Sequence, residues 1–187
     1  MIKVGEKVED FTMSVYHNDE ISEIRLSDFK GKWVVLVFYP ADFTFVCPTE
    51  LEDVAALYPQ FQAVDAEVIS VSTDTAFVHK AWHDNSDAIS KVDYLMGADP
   101  SGAVSKQFGV YIDHDGLALR GTFIIDPEGV LKTAEIHDLG IGRSAAEALR
   151  KLEAAKFVYE HGDQVCPANW KPGSDTLTPG LDLVGKI

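Results

Sequence analysis

The chain is poor in cysteine: Cys47 and Cys166 are the only two among 187 residues. A disulfide-stapled secreted scaffold is therefore excluded, because such chains are short and dense in cysteine. Two thiols alone also make a poor zinc site, and no histidine stands at ligand spacing to either. Cationic residues are scarce as well. Sixteen Lys and Arg stand against 30 Asp and Glu, a formal net charge of −14. That balance argues against nucleic acid and against an anionic membrane surface as partners. No apolar run approaches the roughly 20 residues of a membrane span. The opening Met1-Ile2-Lys3-Val4-Gly5-Glu6 lacks the apolar centre of a secretory leader, so a cytoplasmic location is expected. There is no glycine-rich phosphate loop, and Gly140-Ile141-Gly142 lacks the rest of a dinucleotide fingerprint. His79 and His83 stand four apart on a predicted helix, but His-Lys-Ala-Trp-His lacks the glutamate of a zinc-protease helix. No metal is expected, and no internal repeat is visible.

What remains is the composition of a soluble globular protein, 46% hydrophobic and 25% charged. The length suits one domain with a good core. Val34 to Phe38 is an unbroken apolar run, the pattern of a central strand buried on both faces. Pro48 suits the first position of a helix, since its missing N–H is not needed there. Leu51, Val54, Ala55, Tyr58 and Gln62 then mark one stripe of that helix. A strand over 67–72, a helix over 76–85 capped by Asp74 or Thr75, a short strand over 94–96 and a helix over 101–108 ended by Gly109 follow. Asp126-Pro127-Glu128-Gly129 reads as a type I turn joining strands 119–125 and 130–136 into a hairpin. Ser144 and Glu147 make a capping box for a long last helix with Ala148, Leu149, Leu152 and Ala155 on one face. The order is that of a mixed α/β domain. Beyond about Tyr159 periodicity stops and prolines and glycines accumulate, so the expected division is a domain over 1–160 and an irregular arm over 161–187.

The segment Phe38-Tyr39-Pro40-Ala41-Asp42-Phe43-Thr44-Phe45-Val46-Cys47-Pro48-Thr49-Glu50 carries the most chemical information. It places a lone thiol in a loop after a strand and at the start of a helix. Unpaired backbone N–H groups and the positive end of the helix dipole favour an anion there. A thiolate is such an anion and is the reactive form of cysteine. Two unrelated thiols with packing roles are the plain alternative.

The pattern Pro40-x-x-x-Thr44-x-x-Cys47 resembles the active-site signature of peroxiredoxins, thiol peroxidases without metal or haem. Val165-Cys166-Pro167 is similar to the resolving cysteine of the typical two-cysteine class. Together with Val71-Ser72-Thr73-Asp74-Thr75 and the tail from Ser174, it makes the resemblance strongest to the bacterial alkyl hydroperoxide reductase C type. The resemblance implies a thioredoxin-like fold with peroxiredoxin insertions and a C-terminal arm. It implies that Cys47 attacks peroxide, that Cys166 of a partner subunit resolves the product, and that Arg120 stands against the active-site sulfur. Thr44 is expected to accept one hydrogen bond from the peroxide and donate another, and Pro40 to shield the thiolate from water. Glu50 and Arg143 resemble the supporting network, with helix-end electrostatics and capping as equal alternatives. The implied partners are peroxides, a flavoprotein disulfide reductase or thioredoxin-type donor, and further copies of the chain in a head-to-tail dimer that builds a ring, a decamer by family precedent. Neither a Gly-Gly-Leu-Gly segment nor a C-terminal Tyr-Phe pair is present, which in this family implies resistance to over-oxidation.

Two other classes compete. A thioredoxin-like disulfide oxidoreductase requires Cys-x-x-Cys at the helix start, and position 50 is Glu50. A ring-forming scaffold or chaperone requires no reactive thiol, and peroxide consumption separates it from a peroxidase.

Overall fold

The computed structural model describes residues 2–186; Met1 and Ile187, the outer ends of the expected domain and arm, lie outside the described residues. An antiparallel hairpin, β1 (Thr12–His17) and β2 (Glu20–Arg25), comes first. Then follow β3 (Trp33–Phe38), α1 (Cys47–Ala63), β4 (Ala66–Ser72), α2 (Ala76–Asn85), β5 (Leu95–Ala98) and α3 (Ala103–Gln107). A two-residue ribbon, β6 (Tyr111–Ile112) with β7 (Leu117–Ala118), leads to β8 (Arg120–Ile125), β9 (Leu131–His137) and α4 (Ala145–Glu160). Seven strands make one sheet in the order β2-β1-β5-β4-β3-β8-β9. Its centre, β3-β4-β5, is parallel and crosses over through α1 and α2; β1 and β8 join it antiparallel. No helix among the described residues is long and apolar enough to cross a membrane.

The period-2 alternation of a strand divides the core into two layers. From β3, Trp33, Val35 and Val37 pack with Leu51, Val54, Tyr58 and Phe61 of α1 and Leu149 and Leu152 of α4. Val34, Leu36 and Phe38 face the other way onto Val104, Phe108 and Phe123. All six β3 residues are buried, so the sheet centre is fixed from both sides. The C-terminal end of this strand is thereby a rigid platform for the loop that follows it.

Several elements differ from the expectations. The α1 stripe closes on Phe61, which is 1% exposed, while Gln62 is exposed. Three residues after Tyr58 returns to the buried face as well as four does, and the aromatic side chain takes the place. The short strand runs from Leu95 to Ala98 and α3 from Ala103 to Gln107. The capping box at α4 forms by half. Ser144 Oγ accepts from the Glu147 N–H at 3.3 Å, but the Glu147 carboxylate turns to Arg150 at 2.7 and 2.9 Å. Thr75 rather than Asp74 is the N-cap residue of α2, without a side-chain bond. The arm beyond Glu160 has order of its own. Val165 and Leu177 pair in an antiparallel bridge, and Trp170 is 4% exposed, its ring 5.0 Å from that of Phe157 on α4.

Candidate active site

Tyr39 extends β3 by one further bond, its N–H donating to Val71 at 2.9 Å. Pro40 follows, buried and without an N–H to continue the ladder, so the chain leaves the sheet there. The loop that results is held by a buried polar clamp. The Tyr39 hydroxyl donates to Asp42 Oδ1 at 2.7 Å, His79 Nδ1 faces Asp42 Oδ2 at 2.7 Å, and the Asp42 N–H donates to Asp74 Oδ2 at 2.9 Å. His79 Nε2 meets the Gly97 carbonyl at 3.0 Å; a carbonyl only accepts, so this nitrogen carries a proton. His79 is thus a fully buried tie between α2 and the loop. His83 is spent on Tyr16 and the Val92 carbonyl, and among the described residues no group of three metal-ligating side chains exists. With Asp42 anchored, Phe43 is forced to φ +54°, a left-handed conformation that costs a non-glycine residue about 1–2 kcal/mol. This puts Phe43 and Phe45 outside, 57% and 91% exposed, so they do not fill the core under the loop.

The loop delivers the chain to α1, which begins at Cys47 itself, with Pro48 second. The preceding Val46 supplies no side-chain cap, Pro48 has no N–H, and the Thr49 and Glu50 N–H groups donate to the Val46 carbonyl at 3.1 and 3.3 Å, so an anion there is met by the Cys47 N–H and the positive end of the helix dipole. Cys47 is fully buried, with Arg120 Nη1 at 3.4 Å from its sulfur. The guanidinium is fixed from two further sides. Its Nε donates to the Leu139 carbonyl at 2.7 Å and its Nη1 to Glu50 Oε2 at 2.7 Å. Glu50, one helical turn past Cys47, also takes Arg143. The Arg143 backbone N–H and Nε donate to Oε1 at 2.8 and 2.9 Å, and Nη2 to Oε2 at 3.0 Å. The remaining Arg143 nitrogen, Nη1, reaches the Gly121 carbonyl at 2.7 Å.

Burial pushes the Glu50 carboxyl up, but the Arg143 hydrogen bonds and charge, with Arg120, outweigh it and hold the group below the usual carboxylate range. The sign of the linkage follows. A depressed carboxyl contributes stability that is present above its unfolded value, about 4.3, and is lost as pH falls through its lower folded value. Two guanidinium groups against one carboxylate leave one positive charge beside a buried sulfur. A thiolate is the complement of that charge.

The structure therefore brings Cys47, Arg120, Glu50 and Arg143 together. Arg120 comes from the first residue of β8, Arg143 from the loop before α4, and the other two from the first turn of α1. Position 50, where a disulfide oxidoreductase has its second cysteine, is the carboxylate that bridges both arginines. Thr44 sits half-buried in the loop, its hydroxyl donating to the Ala41 carbonyl at 2.8 Å; its lone pairs remain to accept. Cys166 is elsewhere, in the arm, half-buried against α4 with its sulfur 3.8 Å from the Ala154 carbonyl. Both thiols are free. Burial pushes the Cys166 thiol up, and the charge of Arg150 offsets part of that. Sequence reading passed over Asp42, Asp74 and His79 as a unit. The signal was a histidine on the apolar side of a helix next to the tryptophan, but its partners lie 37 and 18 residues away.

The chain resembles known proteins along its full length. The AhpC/TSA family matches residues 4–134, and the C-terminal domain of 1-Cys peroxiredoxin matches residues 154–183, a stretch that here contains Cys166. Alkyl hydroperoxide reductase C of Staphylococcus epidermidis is 53% identical, and that of Bacillus subtilis 51%, each over 100% of both chains. Among solved structures, the Enterococcus faecalis AhpC crystal structure superposes with a TM-score of 0.86 at 49% identity, covering 89% of this chain and all of that one. The reduced 2-Cys peroxiredoxin of Plasmodium vivax superposes at 0.92 with 32% identity, covering 96% and 94%. A buried thiol at a helix start on a thioredoxin-like sheet, in a chain that matches the family over residues 4–134 and is half identical to alkyl hydroperoxide reductase C relatives along its full length, leads to one assignment: the chain belongs to the AhpC/TSA family and is a peroxiredoxin, a thiol peroxidase.

Proposed function

We propose that the chain reduces hydrogen peroxide and organic hydroperoxides to water and alcohols through Cys47, and that Cys166 of a second copy closes the cycle. The observation that carries this is Arg120 Nη1 at 3.4 Å from a fully buried Cys47 sulfur. The thiolate attacks one peroxide oxygen in line. The O–O bond breaks, its electron pair leaves on the other oxygen, and that oxygen takes a proton to become water or alcohol. Arg120 and the Cys47 N–H donate to the charge that develops along the breaking bond, while the Thr44 hydroxyl, its proton engaged by the Ala41 carbonyl, accepts from the peroxide O–H. Pro40 keeps water from the sulfur, and Glu50 with Arg143 holds Arg120 in place. Condensation of the resulting sulfenic acid with a second thiol is the established chemistry of two-cysteine peroxiredoxins. Residues 1–160 act as the peroxidase core, and 161–187 as the arm that delivers Cys166. A flavoprotein disulfide reductase or a thioredoxin-type protein then returns both thiols, in a reducing cytoplasm where no structural disulfide persists.

Cys166→Ser tests the division of labour. After one equivalent of hydrogen peroxide this variant is expected to gain one oxygen at Cys47 by intact mass and to trap as a sulfenic acid with dimedone. A variant that gains no oxygen, or carries it elsewhere, contradicts the assignment.

We further propose that the protein assembles as a ring of dimers, a decamer, through the face beside the active-site loop. Phe43 and Phe45 lie 57% and 91% exposed there, and Phe43 leans on Trp82 of α2 with ring centroids 6.0 Å apart. Exposed aromatic side chains on one loop favour a partner surface. Disulfide geometry is narrow, so the first turn of α1 has to unwind for Cys47 to reach Cys166, and the strained loop carrying Phe43 moves with it. Sedimentation velocity should show a ring that is tighter reduced than oxidised. Identical assembly across a wide dilution range in both states would refute the coupling.

A further inference from the structure

We propose that Arg150 is a positioning residue for the second half of this cycle: its guanidinium fastens the arm to α4 and raises the share of Cys166 that meets the Cys47 sulfenic acid as thiolate. The inference rests on the reading of Cys166 as the resolving thiol. Arg150 lies on α4, and its Nη1 donates to the Trp170 carbonyl at 3.0 Å. That carbonyl belongs to the one buried aromatic of the arm, four residues past Cys166. The same guanidinium is oriented by Glu147 through Nε and Nη2 at 2.9 and 2.7 Å. Three of its five N–H donors are thus used and two remain. Arg150 and Cys166 line one groove of about 440 Å3 between α4 and the edge strand β9.

The surroundings of the sulfur otherwise disfavour an anion. Among the described residues its hydrogen-bond partner is the Ala154 carbonyl at 3.8 Å, an acceptor that suits a thiol and repels a thiolate. Of the other cations in the groove, Lys151 is bound to Glu135 at 2.5 Å and Lys132 to Asp126 at 3.2 Å. Burial pushes the Cys166 thiol up and the Arg150 charge draws it down. In the resolving step the Cys166 thiolate forms an S–S bond to the Cys47 sulfur. The S–O bond breaks, its electron pair leaves on oxygen, and that oxygen takes a proton and departs as water. The rate follows the thiolate fraction of the attacking sulfur, which Arg150 governs. When the disulfide is later reduced, the same charge stabilises Cys166 as the leaving thiolate.

Three variants separate charge from anchoring. Arg150→Lys keeps the charge, Arg150→Gln keeps a donor for the Trp170 carbonyl, and Arg150→Met keeps neither. Two measurements apply: alkylation of Cys166 against pH in a Cys47→Ser background, and rapid-quench disulfide formation at pH 7 after one equivalent of peroxide. Met and Gln are expected to move the alkylation midpoint up by about half a unit to one unit, and to slow disulfide formation roughly three- to tenfold. Lys should recover most of both, and the first peroxide-consuming step should keep its rate in all three. Gln performing as well as Lys would reduce Arg150 to an anchor and overturn the proposal, as would profiles in all variants equal to the parent. If the parent protein forms no disulfide with Cys166, the resolving reading itself falls, while the alkylation profile still reports whether Arg150 governs the sulfur.

Discussion

Cys47→Ser is expected to abolish peroxide turnover while leaving the fold in place. The sulfur is fully buried between the start of α1 and Arg120, and serine is nearly isosteric with it. The reason for total loss is chemical. A serine hydroxyl stays protonated at neutral pH beside one surplus guanidinium charge, and a neutral hydroxyl does not attack an O–O bond at a useful rate. Nothing else in the cluster can substitute: Glu50 is saturated by two arginines, and Cys166 lies in a separate groove on α4. Peroxide consumption in the presence of dithiothreitol, with circular dichroism as the check on folding, measures this. A folded variant that still turns over peroxide at a substantial fraction of the parent rate would remove Cys47 from the mechanism.

Arg120→Ala is expected to slow peroxide attack on the order of a hundredfold, about 2.7 kcal/mol of transition-state stabilisation, typical for one well-placed donor in a buried site. The fold should survive, because Arg143 alone still donates to both Glu50 oxygens. Arg120→Lys should recover only part of the rate. It keeps a charge near the sulfur but loses the fork that Leu139 and Glu50 hold in position. Stopped-flow peroxide consumption and haloacetamide alkylation of Cys47 at pH 7 are the readouts, and both should slow together. Rates within twofold of the parent would deny Arg120 its electrostatic role.

Much of this was legible in the sequence for physical reasons. An apolar run, a lone thiol and a proline in succession can hardly be anything but a buried strand, a loop and a helix start. The 120–137 hairpin announced itself through Pro127 and Gly129. The first hairpin was not anticipated, although the signal was there. Asn18 and Asp19 adopt φ +48° and +61°, the turn such residues favour between alternating strands. It was hidden because β2 is a charged, almost fully exposed edge strand, which protects against edge pairing and erases hydrophobic contrast. Glu50 and Arg143 were level with ordinary helix-end electrostatics in sequence, because their meaning lies in a meeting 93 residues apart. Asp42 and His79 were invisible as a pair for the same reason. In each case local pattern fixed the backbone, while the function of a polar residue depended on a partner that only the tertiary fold supplies.

One peroxide molecule is expected to convert Cys47 and Cys166 of two copies into a single disulfide. Fully reduced protein should be given one equivalent of hydrogen peroxide per chain, alkylated at once, separated on a non-reducing gel and mapped by peptide mass spectrometry. A dimer-sized band containing the Cys47–Cys166 linked peptide, with little alkylated Cys47, is the expected result. Consumption of the peroxide with both cysteines still fully alkylatable would contradict it.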